Sequence, residues 1–324
     1  FAFKSKDFSD SGVPVIKIKN ITPPYVSLDD ITYVSNDIAS QQKKFQVHYD
    51  DILIALTGSH INQMASVVGR IAKVKFFDKA LLNQRVGKIY TVDAAACNLD
   101  YVYYFLSQGK VKIELASKAG GAANQANISP ADIKKLQIPF PTKEKQDRIA
   151  DILLTYDHLI ENNQKQIRLL EEAAQRLYKE WFVDLRFPGH ETTPVVDGVP
   201  EGWHQGTLEE LISINYGKDH KQVPEDGEIP VYGSGGLIRK CNKFLYTGEA
   251  VLIPRKGSLN HIMYVNEAFW TVDTMFYTTM KKPNTALFVY FFISSFDMYA
   301  MNIGAAVPSM TVKILEAIPL LIPS

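Results

Sequence analysis

A chain of 324 residues is long enough for two domains of ordinary size, and 46% hydrophobic with 22% charged residues excludes a disordered protein. The only cysteines, Cys97 and Cys241, make neither a disulfide framework nor a zinc site, and the longest apolar run, Leu287 to Ile293, is far too short to cross a bilayer. The formal net charge of zero argues against a nucleic-acid partner until it is divided along the chain: residues 1–142 carry a balance of +5, residues 143–186 of −1 and residues 187–324 of −4. A cytoplasmic protein without a membrane segment is expected.

In chain order, residues 13–18 are a short run rich in β-branched residues and predict a strand. Lys17, Lys19 and Asn20 sit at its end, suited to phosphate. Thr22-Pro-Pro-Tyr25 is similar to the Asn/Asp-Pro-Pro-Tyr motif of amino-methyltransferases. Threonine is a poor acceptor in place of the first residue, however, and no glycine-rich cofactor loop precedes it, so the segment reads as a turn. Residues 52–56 and 67–74 predict further strands. Between them runs a polar loop region with Thr57, Ser59, His60, Asn62, Gln63 and Arg70. Residues 101–118 predict a helix, and Gly120-Gly-Ala-Ala-Asn-Gln125 reads as a connector.

Residues 143–186 predict one long helix, with Pro141-Thr142 at its start and Pro188-Gly189 at its stop. Apolar residues recur at Ile149, Ile152, Leu153, Tyr156, Leu159, Ile160, Ile167, Leu170, Ala174, Leu177 and Trp181, the a, d and e positions of successive heptads. Asn163 at an a position would favour one register. A helix of ~44 residues extends roughly 66 Å, and its apolar stripe needs a partner helix.

The last third repeats the first. Glu228-Ile-Pro-Val-Tyr232 follows the pattern of Gly12-Val-Pro-Val-Ile16. Val251-Leu-Ile-Pro-Arg-Lys-Gly-Ser258 follows Ile52-Leu-Ile-Ala-Leu-Thr-Gly-Ser59, and Leu287-Phe-Val-Tyr-Phe-Phe292 follows Tyr101-Val-Tyr-Tyr-Phe-Leu106. Ser309-Met-Thr311 with Leu320-Leu-Ile-Pro-Ser324 follows Asn127-Ile-Ser129 with Ile138-Pro-Phe-Pro-Thr142. The order is kept while the offset falls from 216 to 182, so four matches together indicate a duplication. By the repeat, a segment like Pro200-Glu-Gly-Trp203 would precede Phe1 and a second long helix would follow Ser324. In this half the polar candidates are Tyr232, Ser234 and Arg239 after the first strand, and Arg255, Lys256, Ser258, Asn260 and His261 in the loop matching that after Thr57. Arg239, Lys240, Lys243, Arg255 and Lys256 fall within 18 residues that hold one acid, Glu249, and form a candidate basic patch. Taken singly, each of these side chains fits an ordinary solvated loop better than a contact. The two polar loops as units favour recognition, because both halves keep one after Gly-Ser.

The expected class is α+β: two similar mixed α/β domains, residues 1–142 and 187–324, joined by a coiled-coil-type helix over residues 143–186. This arrangement resembles the specificity subunit of type I restriction-modification systems, with Asp51-Ile-Leu-Ile-Ala-Leu-Thr-Gly-Ser59, Asn127-Ile-Ser129, Ile138-Pro-Phe-Pro141, Gln146, Pro200-Glu-Gly-Trp203 and Ile229-Pro-Val-Tyr-Gly-Ser-Gly-Gly236 carrying the likeness. The resemblance implies a non-catalytic, DNA-binding subunit. Each recognition domain would read one half of a bipartite double-stranded target, and the helix would set the spacing and dock methyltransferase (M) subunits, with restriction (R) subunits joining through the complex. S-adenosylmethionine, ATP and Mg2+ would then belong to partner subunits.

Catalytic motifs are absent from the sequence. No His-Glu-x-x-His, zinc-spaced Cys/His pair or phosphate-binding Gly-x-x-x-x-Gly-Lys-Ser/Thr loop occurs, and Gly233, Gly235 and Gly236 lack that spacing. Glu171-Glu172 and Glu209-Glu210 read as solvated helix faces. Two other readings remain: a coiled-coil scaffold that binds no DNA, and the recognition part of a fused methyltransferase-nuclease.

Overall fold

The run Ile52-Leu-Ile-Ala55 is buried along its whole length because both faces of its strand are covered, which is what an unbroken apolar run in a strand requires. In the computed structural model, which describes residues 2–59, 68–76, 78–118, 126–300 and 309–323, the chain divides into two compact units, Phe1–Gln164 and Lys165–Ser324.

In the first unit, Ile52 and Ile54 face Tyr103, Leu106, Val111 and Leu115 of two helices. Leu53 and Ala55 face Ile16, Ile21, Val26, Ala80 and Leu82 on the other side. The strand Ile52–Ala55 runs antiparallel between Val86–Ile89 and Ile71–Lys73, in a five-stranded sheet completed by Tyr25–Val26 and Ile21–Thr22. Thr22-Pro-Pro-Tyr25 is the hairpin turn joining those two strands. In a second five-stranded sheet, Val13–Ile16 lies parallel to Ala80–Leu82.

The second unit repeats the plan with longer strands. Tyr246–Pro254 pairs antiparallel with Met263–Thr271 and Met275–Met280. Val251 and Ile253 face Val289 and Ile293 of the helix Ala286–Ser294, and Ala250 and Leu252 face Val231, Phe269 and Met275. Full burial of such an aliphatic side chain contributes about 1.5–3 kcal/mol, so these paired layers hold each unit. The six-stranded sheet runs in the order Ile212–Tyr216, Met275–Met280, Tyr246–Pro254, Met263–Thr271, Ile229–Gly233, Gly236–Cys241.

Three sequence expectations are corrected. Residues 101–118 form two helices, Leu99–Leu106 and Gly109–Ser117, because the chain turns at Ser107-Gln108. The strand expected over 67–74 is Ile71–Lys73 within the described residues, preceded by a turn at Gly69 with φ 73°. The long helix is α-helical over Lys143–Tyr178, widens into a π turn over Lys179–Val183 and stops before Arg186. There Asp184 N–H donates to Lys179 O at 2.8 Å, and Leu185 takes a left-handed φ of 58°.

The start of that helix is held to the first unit by polar contacts. Gln146 is fully buried. Its amide donates to Ala96 O at 3.1 Å and Pro141 O at 2.8 Å, and its Oε1 accepts from Asn98 N at 2.9 Å. Asn98 also donates to Asp147 at 2.6 Å and caps the helix Leu99–Leu106 by accepting from Tyr101 N at 3.0 Å. Farther along, Tyr104 donates to Asp157 at 2.6 Å and Tyr25 to Glu161. The end of the helix is held to the second unit by aromatic rings: buried Tyr178 lies 5.7 Å from Phe288 and 5.9 Å from Phe291, and Phe182 lies 4.8 Å from Phe288.

Candidate nucleic-acid interface

In the second unit, two candidate loops meet. The residues flanking the strand Met263–Thr271 both reach the end of Ile229–Gly233 and its turn: His261 Nδ1 lies 2.9 Å from Ser234 O, and Val272 N–H donates to Tyr232 O at 3.0 Å. Gly257, with φ 86°, lies against the same turn, where a Cβ would come within 2.7 Å of Ser234 Oγ. The left-handed conformation there favours glycine. Arg255 joins them through the loop 272–274. Its N–H donates to Thr274 O at 2.9 Å, its guanidinium lies 3.5 Å from Asp273 O, and it stacks 5.4 Å over the ring of Tyr216. Lys256 and Ser258 stand exposed beside it. Asn260 is engaged differently, donating to Asp297 at 3.0 Å and accepting from Met298 N at 2.8 Å.

Sequence reasoning missed the neighbours that complete this cluster. Gly217 N–H donates to Met275 O at 3.0 Å and Lys218 N–H to Thr271 O at 2.9 Å, which brings exposed Tyr216 and Lys218 beside Arg255. A glycine directly after a strand and ahead of Lys218-Asp-His-Lys221 was the available signal. A Cβ at Gly217 would lie 2.0 Å from Val272 O.

The five-residue basic patch does not assemble. Arg239 is turned to its own unit, its guanidinium donating to His220 Nδ1 at 3.0 Å, Val223 O at 3.0 Å and His220 O, with Glu225 at 3.5 Å. Lys240 pairs with Glu228. Tyr232 donates to Glu267 at 2.7 Å, and burial followed by that bond pushes its phenol up to about 12.

The first unit repeats the placement in part. Thr57 is buried, and its hydroxyl donates to Asn127 at 2.7 Å across a two-stranded ladder. Ser59 and Arg70 flank the loop that contains His60, Asn62 and Gln63, which lie outside the described residues, as does the Gly120–Gln125 segment. Lys112 adds a second cation beside Arg70. Burial and then Arg70 hold its ammonium below the usual lysine range. Lys17 stands 4.1 Å over the ring of Phe8, and burial followed by Lys19 lowers it. Lys19 pairs with Asp30. Asn20 is buried, its Oδ1 accepting from Lys17 N at 3.0 Å and its amide donating to Asp29 O at 3.3 Å, so its polar atoms hold the turn.

The heptad positions of the long helix point away from the polar anchors. Ile149, Ile152, Tyr156, Leu159, Ile160, Ile167, Leu170 and Leu177 are exposed, up to 69% at Leu170. Asn163 is exposed and Trp181 half-buried. Among the described residues no helix is long and apolar enough to cross a membrane, and no group of three or more His, Cys, Asp or Glu is placed to hold a metal ion. Glu210 is exposed, and it is also hydrogen-bonded there. Its carboxylate accepts from Thr207 N at 3.1 Å and lies 2.9 Å from His204 Nε2.

Two α/β units of one plan, each ending in polar loops and joined by a helix with an uncovered apolar stripe, are the architecture of a known class. Residues 1–172 and 200–324 match the type I restriction modification DNA specificity domain, and the chain belongs to that family. It is 26% identical to the type I restriction enzyme MjaIX specificity subunit of Methanocaldococcus jannaschii, over 73% of this chain and 57% of that protein. It is 28% identical to the putative MjaX specificity subunit of the same organism, over 81% of this chain and 58% of that protein. The chain thus spans under three-fifths of the length of these relatives. The crystal structure of the type I restriction-modification S subunit from M. genitalium shares the fold, with a TM-score of 0.57 at 20% identity over 98% of this chain and 82% of that one.

Proposed function

We propose that this chain is a non-catalytic specificity subunit that reads double-stranded DNA, each unit recognising one half of a split target. The observation that carries the reading is the convergence of Arg255, Lys256, Ser234 and His261 with Tyr216 and Lys218 on one set of loops. Cations neutralise phosphates, and hydrogen-bonding side chains on a fixed backbone read base edges. Ser59, Arg70 and Lys112 hold the corresponding place in the first unit. Lys17 and Lys19 are at most phosphate contacts, and Asn20 acts by shaping their turn.

The helix is the spacer between the two readers, and its apolar stripe is the surface for methyltransferase subunits, through which restriction subunits join. Methyl transfer from S-adenosylmethionine and ATP- and Mg2+-dependent cleavage belong to those partners, in the cytoplasm. The family match and the exposed stripe favour this over a scaffold that binds no DNA and over a fused methyltransferase-nuclease.

The test is to express the chain with its methyltransferase partner and map methylated bases across the host genome. A split motif with a constant gap is expected, and exchange of residues 1–142 should alter one half alone. Methylation that does not depend on this chain, or a single continuous motif, overturns the reading.

A further inference from the structure

The loop between the strands Ile212–Tyr216 and Ile229–Gly233 begins Gly217-Lys-Asp-His-Lys-Gln-Val223. Within it only Gly217 and Val223 are buried, while Lys218 and Lys221 are exposed. An exposed polar loop held in one conformation gives up backbone entropy at every residue, and apolar burial here offsets little of it.

The conformation is nevertheless held at both ends by side chains of the sheet. Trp270 Nε1–H donates to Lys218 O at 2.9 Å. Arg239 donates to Val223 O at 3.0 Å and to His220 O, with only 15% of its own side chain exposed. Arg239 Nε–H also donates to His220 Nδ1 at 3.0 Å. That bond requires Nδ1 to be an acceptor, so the ring's proton resides on Nε2. A largely covered guanidinium thus presents one histidine as an Nε2–H donor, flanked by two exposed lysines, in a segment that bonds to Thr271 next to the loop that Arg255 contacts.

We infer that the Gly217–Val223 segment is a second DNA-contacting element of the second unit. Lys218 and Lys221 contact phosphates, His220 is a specificity-determining donor to a base edge, and Arg239 is its positioning residue. The inference rests on the DNA-reading role proposed above. Arg239 therefore acts from behind the interface, which accounts for a guanidinium whose donors all face its own unit. Lysine at 239 would keep the charge but not the planar fork that reaches His220 and Val223 together.

The test is selection of bound duplexes from a pool of randomised DNA by the full chain, with affinity measured against salt. Lys218→Ala/Lys221→Ala should lower the salt slope by about two and leave the selected motif unchanged. His220→Ala should weaken binding about tenfold and flatten base preference at positions of one half-site. Arg239→Lys should flatten the same positions as His220→Ala, an effect that a merely structural arginine would not confine to them. Unaltered slope and motif in the lysine and His220→Ala variants, with binding still weakened by Arg255→Ala/Lys256→Ala, overturn the inference and leave the DNA reading standing. Failure of the unaltered chain to bind or select any duplex overturns both.

Discussion

Met310 donates its backbone N–H to Arg255 O at 3.0 Å, and Ile128 donates to Leu56 O at 2.9 Å in the other unit. The two bonds occupy the same place in the plan. Each ties the end of the central strand to the segment that starts a short helix, and the ladders Thr57–Asn127 and Lys256–Ser309 continue them. In each unit this tether fixes where the polar loop leaves the sheet.

The next residue in each segment is an N-cap. Ser129 accepts from Asp132 N at 3.2 Å, and Thr311 from Ile314 N at 3.4 Å. Ser129→Ala and Thr311→Ala should each lower stability by about 1 kcal/mol, measured by urea unfolding. Ser129 should cost more, because its hydroxyl also donates to Asp132 at 2.6 Å. A neutral Ser129→Ala would mean that the Ser129 hydroxyl adds nothing to the tether.

The repeat was legible in the sequence because its units are short apolar strands ending in Gly-Ser and caps ahead of short helices, all local patterns. Arg255, Lys256, Ser234 and His261 stand out in the same way, as polar residues following strands, and the fold brings them to neighbouring loops. Tyr216, Lys218 and His220 do not, because their place depends on Gly217 packing against Val272, a long-range contact with no local signature. The partners of Arg239 are not legible either, because composition records that a cation is present, not which acceptors it faces. The end of the helix is illegible for a similar reason: periodicity runs on through Trp181, while the widened turn at Lys179–Val183 is set by backbone bonds that leave no mark in the side-chain pattern.

Gln146 makes three hydrogen bonds while fully buried. Gln146→Leu keeps the volume and strands Asn98 N, Ala96 O and Pro141 O. Ala96 is exposed and Asn98 and Pro141 are half-buried, so water reaches part of what is freed; each group left unpaired away from water costs about 1–3 kcal/mol, and a loss on the order of 2 kcal/mol is expected in urea unfolding. Hydrogen exchange should rise first around Ala96–Asn98. A change below about 1 kcal/mol would show that water replaces the amide.

Alkaline pH should loosen the second unit. The hydrogen bond to Glu249, then burial, pushes the Tyr264 phenol up to about 12, and burial, then Glu267, does the same for Tyr232. A phenol whose pKa is raised in the fold stabilises it fully below the unfolded value near 10. That contribution is lost as pH rises through about 12, because the unfolded chain releases its proton first. Thermal melts between these values should fall with pH, and less steeply in Tyr232→Phe. An equal slope would remove Tyr232 from the account.

Arg255→Ala/Lys256→Ala should alter one half of the recognised motif and leave the other intact, since all contacts of Arg255 lie within its own unit. Sequencing of methylated sites reads this directly. Loss of both halves would point to a folding defect, and no change in either would remove these residues from the interface.

Leu159 and Ile167 are 53% and 55% exposed, while the polar anchors Asp157 and Glu161 hold the helix by a different face. Leu159→Asp/Ile167→Asp should therefore leave thermal unfolding of the isolated chain nearly unchanged, within about 0.5 kcal/mol per site as for surface positions. The same charges placed in an apolar helix–helix contact would be unpaired and desolvated, a penalty of several kcal/mol for each. Co-purification with the methyltransferase partner should be lost. A stable chain that still assembles would show that docking uses another surface. A chain that unfolds would show that the stripe is covered within the chain's own fold.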